Sequence, residues 1–195
     1  IEFDTPTTSH RWEGLVNAVD HCFRVAAVNE AGVGDYSVEG QCRAPDVRPE
    51  QPSIPTVDFG DTELTVNWTE PLNQGSDILN YQLRISGGRQ ELSPELGVTT
   101  NYTWTGLDNG TDYTFEVRAQ NSATTDNDGW SDWSDLSAPE HPLTLPDAPA
   151  QPSAVRGDRQ VQVSWNAPDD GGDTITLYQV RSSISPNWVD VTPQG

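Results

Sequence analysis

The 195-residue chain has no lysine and no methionine, and its ten basic residues, all arginine, face 30 acids, for a formal net charge of −20. A surface so acidic excludes nucleic acid and anionic membranes as natural partners, because a field of the same sign repels both. It leaves a solvated, salt-tolerant exterior or a cationic partner. Histidine is nearly absent: His10, His21 and His141 stand beside no nucleophile in a recognisable arrangement, so acid–base and nucleophilic catalysis have no candidate. No phosphate-cradling glycine loop and no His/Cys metal cluster is present, and no cofactor is expected. The acidic clusters "PDDGGD" and "TTDNDG" lack the spacing of a calcium-binding loop and read as solvated turns. No apolar run approaches the ~20 residues a membrane-spanning helix needs. The opening "IEFDTPTT" is not the basic-then-apolar start of a signal peptide, so the chain is expected to be a segment of a longer protein.

Against these absences stands an internal repeat. "ELTVNWTEPLNQGSDILNYQLRIS" (63–86) aligns without a gap on "QVQVSWNAPDDGGDTITLYQVRSS" (160–183), placing Trp68 on Trp165 and Tyr81 on Tyr178 at an offset of 97 residues. "YTWTGLDNGTDYTFEVRAQN" (102–121) aligns with "HRWEGLVNAVDHCFRVAAVN" (10–29), placing Trp104 on Trp12 and Phe115 on Phe23 at an offset of 92. Several landmarks at one fixed offset mark a true repeat. Within each unit "LTVNW", "VQVSW" and "YTFEVRA" alternate apolar and polar residues, the two-residue period of strands. Gly-, Pro-, Asn- and Asp-rich turns separate them, and no helical period of useful length occurs. An all-β sandwich built from units of about a hundred residues is the expectation. Trp12, Trp68, Trp104, Trp165, Tyr81, Tyr113, Phe115 and Tyr178 are its expected core.

These landmarks resemble the fibronectin type III domain, an immunoglobulin-like β-sandwich. Trp68 sits where that family keeps its second-strand tryptophan, and Tyr81 where it keeps the third-strand tyrosine. "LDNGTDYTFEVRAQN" matches its leucine, turn, tyrosine and outgoing strand. The resemblance implies a corner in which the Tyr113 hydroxyl bonds back to the backbone beyond Leu107; in the first unit His21 replaces that tyrosine, leaving the bond to an imidazole. The implied division is the later half of one domain over 1–48, a complete domain over 49–146 and the earlier half of another over 147–195, joined at the second boundary by a stiff linker around Pro149 and Pro152. The two outer halves, being complementary, could also unite between copies as a swapped sandwich.

"GWSDWS" (129–134) is a literal match to the WSxWS box of class I cytokine receptors, which lies before the last strand of such a domain. On strand 113–120 the core takes Tyr113, Phe115 and Val117, so Arg118 points out. On the neighbouring strand Tyr81, Leu83 and Ile85 point in, so Arg84 points out. Both arginines are therefore placed to stack on Trp130 and Trp133 of the box Trp130-Ser131-Asp132-Trp133-Ser134, each desolvated contact contributing about 1 kcal/mol. "RGD" at 156–158 aligns with "FGD" at 59–61, the turn between the first two strands, so it reads as turn chemistry rather than an integrin tripeptide. Cys22 and Cys42 fall on adjacent strands, where either a cross-strand disulfide, fitting an oxidising compartment, or two free thiols is consistent with their spacing.

"DRQVQVSWNAPDDGG" and "LNQGSDILNYQL" look most like repeats of large actinobacterial cell-surface proteins, including bifidobacterial ones, and the lysine-free composition agrees. The resemblance implies a non-enzymatic extracellular adhesion or recognition module, surface-anchored elsewhere in the full protein, that binds host proteins, with cytokines such as tumour necrosis factor as candidates. A passive spacer for a secreted enzyme and a phage tail or virion decoration are the alternatives. The expected contact surface is the loops 70–77 and 122–129, with Asn73, Asp77, Asp126 and Asp128 at their tips.

Overall fold

A computed structural model describes residues 7–123 and 127–193. It is all-β. The strands are β1 (Val28–Asn29), β2 (Gly32–Val33), β3 (Thr56–Gly60), β4 (Glu63–Asn67), β5 (Ile78–Gly87), β6 (Glu91–Leu92), β7 (Asn101–Thr105), β8 (Tyr113–Asn121), β9 (Ser153–Gly157), β10 (Gln160–Ser164), β11 (Tyr178–Val180) and β12 (Val189–Val191). The sole helical element among the described residues is a single 3-10 turn, Asn127–Gly129.

The centre of the chain is a two-layer sandwich. One antiparallel sheet has the order β3-β4-β7, the other β6-β5-β8. Alternation decides which side chains meet between them. Leu64 pairs with Trp104 across β4 and β7, while Leu83 and Ile85 pair with Val117 and Phe115 across β5 and β8. All six are buried, as are Trp68, Tyr81, Leu107 and Tyr113. Burying each large aliphatic or aromatic side chain contributes roughly 1.5–3 kcal/mol, which makes this cluster the main source of the unit's stability. Trp68 lies 5.4 Å from Tyr81 and Trp104 lies 6.5 Å from Phe115, tying the two layers through their rings. The cluster is not wholly comfortable: the indole N–H groups of Trp68 and Trp104 and the Tyr81 hydroxyl are buried without a hydrogen-bond partner. Burial, and then the carboxylate of Glu70, push the Tyr81 phenol up to about 12.

Among the described residues the flanking stretches hold only two-stranded sheets, one over 7–48 and two over 147–193. Residues 7–48 hold the β1–β2 hairpin, a bridge between His21 and Arg43, and a disulfide between Cys22 and Cys42. Residues 147–193 hold the hairpins β9–β10 and β11–β12. The expected core residues of these stretches are not buried. Trp12 is 53% exposed, stacked on Phe23 at 5.7 Å, and Trp165 and Tyr178 are half-buried against each other at 5.3 Å. The reason is physical: two-stranded sheets cover only part of each ring, whereas the two three-stranded sheets of the central unit enclose theirs.

Candidate functional site

The site begins at a backbone constraint. Gly129 has φ +77°, and a Cβ there would run into the carbonyl oxygens of Asn121 and Ala123, so only glycine fits at the entry to the tryptophan box. The resemblance implied a box just before the last strand; here the box itself bonds along β8, with isolated bridges at Trp130 and Glu140. Residues 130–140 run alongside β8 in a ladder of period three. Ser131, Ser134 and Ser137 donate their backbone N–H groups to the carbonyls of Ala119, Val117 and Phe115 at 2.8–2.9 Å. Their hydroxyls accept the N–H groups of those same three residues at 3.0 Å and donate onward to the carbonyls of Asp132, Asp135 and Ala138. Each serine thus supplies through its side chain the acceptor that a regular strand would supply through its backbone. All three serines are buried.

With every third residue facing β8, Trp130 and Trp133 project onto the outer face of the β5–β8 sheet. Arg118 lies between them, its guanidinium 4.4 Å from the Trp130 ring and 4.6 Å from Trp133, and Arg84 covers Trp133 at 4.9 Å. Arg118 therefore serves both indoles and Arg84 only one. Cross-strand partners hold the planes in place: Arg118 donates to Gln82 Oε1 at 3.2 and 2.6 Å, and Arg84 pairs with Glu116 at 2.5 Å. Burial, and then repulsion by Arg84, lower the Arg118 pKa from its ordinary value. The outer side of the box is pinned from a distant part of the chain. Arg48 forms a two-pronged pair with Asp132 at 2.7 and 3.1 Å, and Gln51 donates to the Trp133 carbonyl at 2.7 Å. Ser137, Gln82, Glu116, Arg48 and Gln51 were not anticipated; the triplet rhythm W-S-D, W-S-D, L-S-A over 130–138 was the available signal for Ser137.

The first unit shows what the tryptophans add. There Gly34, Ser37, Gly40 and Arg43 donate to Ala27, Val25, Phe23 and His21, the same ladder of period three. Aligned with Trp130, Trp133 and Arg118 are Val33, Tyr36 and Ala26. With no arginine to stack on, Val33 and Tyr36 stand 64% and 70% exposed. The ladder builds the strand; the arginine–indole stack is a layer laid over it. The corner bonds follow the same logic. The Tyr113 hydroxyl accepts the Asp108 N–H at 3.2 Å, and His21 Nε2 lies 3.4 Å from the Val16 carbonyl, also five residues back.

Of the loop residues, Asn73 is committed to the fold: its side chain takes the Gly75 N–H at 3.2 Å and its carbonyl takes the Asn121 amide at 2.9 Å. Asp77 and Asp128 are exposed, and Asp126 lies outside the described residues. Asp61, the counterpart of the Asp158 in "RGD", accepts the Asn109 amide at 3.0 Å, a turn role. Among the described residues no group of three His, Cys, Asp or Glu is placed to hold a metal, and no helix is long and apolar enough to cross a membrane.

Two antiparallel sheets packed face to face, closed by a tyrosine corner and a final irregular strand, define an immunoglobulin-like β-sandwich. The profile of the fibronectin type III domain matches residues 48–136, and this stretch of the chain is a fibronectin type III domain. Human neogenin is 29% identical over 195 residues, covering 92% of this chain, and chicken fibronectin type-III domain-containing protein 3a is 30% identical, covering 91%. Rat netrin receptor DCC is 28% identical, covering 93%. The chain spans 12%, 15% and 13% of the lengths of these relatives.

Proposed function

We propose that the chain is a non-enzymatic, extracellular recognition or adhesion module whose partner is a protein with a basic surface. The observation that carries this reading is how the charge is distributed. The chain carries −20, while the three arginines of 49–146, Arg84, Arg89 and Arg118, each pack against an indole. What faces outward from the rigid sandwich is therefore acidic, with Asp77 and Asp128 exposed at the loop tips. Such a field speeds encounter with a cationic protein and repels an anionic one. Similarity along most of the chain to a protein named as a netrin receptor, and a disulfide that fits an oxidising compartment, support an extracellular protein partner.

The narrower form of the proposal is a bacterial surface protein that engages host proteins, tumour necrosis factor among the cytokines. Its support is the resemblance of the repeats and of the box. Because the indoles are occupied by arginines, a cytokine would meet the loops and not the WSDWS face. Binding of the full chain to tumour necrosis factor and to a basic extracellular protein, measured at low and physiological salt, tests both levels. Binding of either that weakens with salt, and weakens again in Asp77→Asn/Asp128→Asn, is expected. No binding of the basic protein at micromolar concentration would overturn the general reading; binding of that protein without tumour necrosis factor would overturn the narrower one.

A further inference from the structure

The contact between successive units is built twice in this chain, from the same backbone groups. At the first junction the Val47 N–H donates across the boundary to the Gln74 carbonyl at 3.4 Å, flanked by Ala18 to Pro45 at 3.0 Å inside the first unit and Glu50 to Leu72 at 3.0 Å inside the second. At the second, Thr144 donates across the boundary to Gly171 at 2.8 Å, flanked by Gly110 to Pro142 at 3.0 Å inside the central unit and Asp147 to Asp169 at 3.0 Å inside the last stretch. The two sets are related by the offsets of the sequence repeat, 92 for the turn residue Ala18 or Gly110 and 97 for the others. The conformations correspond as well. The turn residue is left-handed in both, Ala18 at φ +62° and Gly110 at φ +75°. In the facing loop an Asx side chain caps a glycine two residues on: Asn73 takes the Gly75 N–H, and Asp170 takes the Gly172 N–H at 3.0 Å.

That glycine is a point of close approach at both junctions. Gly75 and Gly172 have φ +110° and +104°. A Cβ on Gly75 would come within 2.8 Å of the Pro45 carbonyl and 3.0 Å of the Ala18 nitrogen; one on Gly172 would come within 2.6 Å of the Gly110 nitrogen and 2.9 Å of the Pro142 carbonyl. The close approach, and not only the turn, excludes a side chain. The side chains around the two junctions differ. Gln74 donates to Glu50 and Ser76 to Asp46 at the first, while Gly171 occupies the place of Gln74 at the second. What recurs is therefore the backbone arrangement.

We infer that each unit carries a docking pair for another unit of its own kind: a socket made by the left-handed turn residue and the proline carbonyl after the last strand, and a key made by the Asx-x-Gly loop of the unit that follows. Engaged, the pair locks neighbouring units at one orientation, so the array is a stiff rod with a constant step. Asn73 to Ser76 of the loop 70–77 are consumed by this contact, while Asp77 at its end and Asp128 stay exposed to a partner.

Amide exchange on the full chain tests this. The N–H groups of Val47, Glu50, Thr144 and Asp147 should exchange more than tenfold slower than in an unstructured peptide. In Gly172→Ala, Thr144 and Asp147 should lose at least tenfold of their protection, while Val47, Glu50 and the core amides of Leu83 and Phe115 keep theirs. Gly97→Ala is the matched control, with a left-handed φ of +66° but open space where its Cβ would lie. Unprotected junction amides in the parent chain, or equal effects of the two substitutions, would overturn the inference. Residual dipolar couplings of the parent chain give a second reading that needs no variant: one alignment tensor should fit all three stretches, and separate tensors would refute a locked rod.

Discussion

Replacing Ser134 with alanine isolates the device that holds the last strand. The Ser134 hydroxyl accepts the Val117 N–H at 3.0 Å and donates to the Asp135 carbonyl at 2.9 Å, while its own N–H, untouched by the substitution, bonds Val117 O at 2.8 Å. Ser134 is 3% exposed and Val117 is fully buried. Removing one oxygen opens too little room for a water molecule, so the Val117 N–H loses its only side-chain acceptor and gains nothing. An orphaned buried donor costs about 1–3 kcal/mol, whereas Asp135, exposed at the surface, finds water for its carbonyl. For a module of about a hundred residues this corresponds to a fall in melting temperature of roughly 4–8 °C per kcal/mol. Urea unfolding should show a lower midpoint at unchanged slope. Ser37 supplies the internal comparison. It occupies the same rung in the first unit and accepts the Val25 N–H at 3.2 Å, but Val25 is 72% exposed. Ser37→Ala should cost less than about 0.5 kcal/mol, since water replaces the hydroxyl. Native-state amide exchange separates the two units in one sample. A cost for Ser134→Ala below about 0.5 kcal/mol, or equal costs for the two serines, would refute the argument that buried hydroxyls complete the sheet.

Arg118→Ala should destabilise the central unit by about 2 kcal/mol, since it removes two cation–π contacts and a fork to Gln82, and should red-shift tryptophan emission as Trp130 and Trp133 become wet; unchanged emission would count against the stack. The Tyr81 phenol has a folded pKa of about 12 against 10 unfolded, so its contribution is fully present below pH 10 and drains as pH rises from 10 to 12. The folding constant should therefore fall about tenfold per pH unit in that window, and Tyr81→Phe, which also removes an unpartnered hydroxyl, should abolish the slope without loss of stability at pH 7. Reducing the Cys22–Cys42 bond, which joins residues 20 apart, should destabilise the 7–48 stretch by about 3 kcal/mol and leave the urea midpoint of the central unit unchanged.

What could be read from the residues, and what could not, follows from which interactions have a sequence period. The strands β4, β5 and β8 announce themselves because one side chain in two faces the core, and the same alternation places Arg84 and Arg118 outward. The last strand carries no such signal. Its period is three, because each serine bonds β8 through both its backbone and its side chain, so "WSDWS" shows no two-residue alternation although it lies along β8. Repeats mislead in a complementary way. Trp12 and Trp104 share a place in the repeat, yet one is 53% exposed and the other 5%, because alignment transfers position along the chain and says nothing of what lies across from it. Arg48 and Gln51 reach the box from more than eighty residues away, and no local pattern encodes such a contact. The unanticipated parts of the site are thus the ones made by tertiary pairing. The first unit points the same way: it keeps the ladder while replacing Trp130, Trp133 and Arg118 with Val33, Tyr36 and Ala26 together. Indoles and cation come as a set because neither is stable alone on that face: a bare tryptophan pair would be wetted, and an arginine pulled down by burial needs the ring faces to offset its lost hydration.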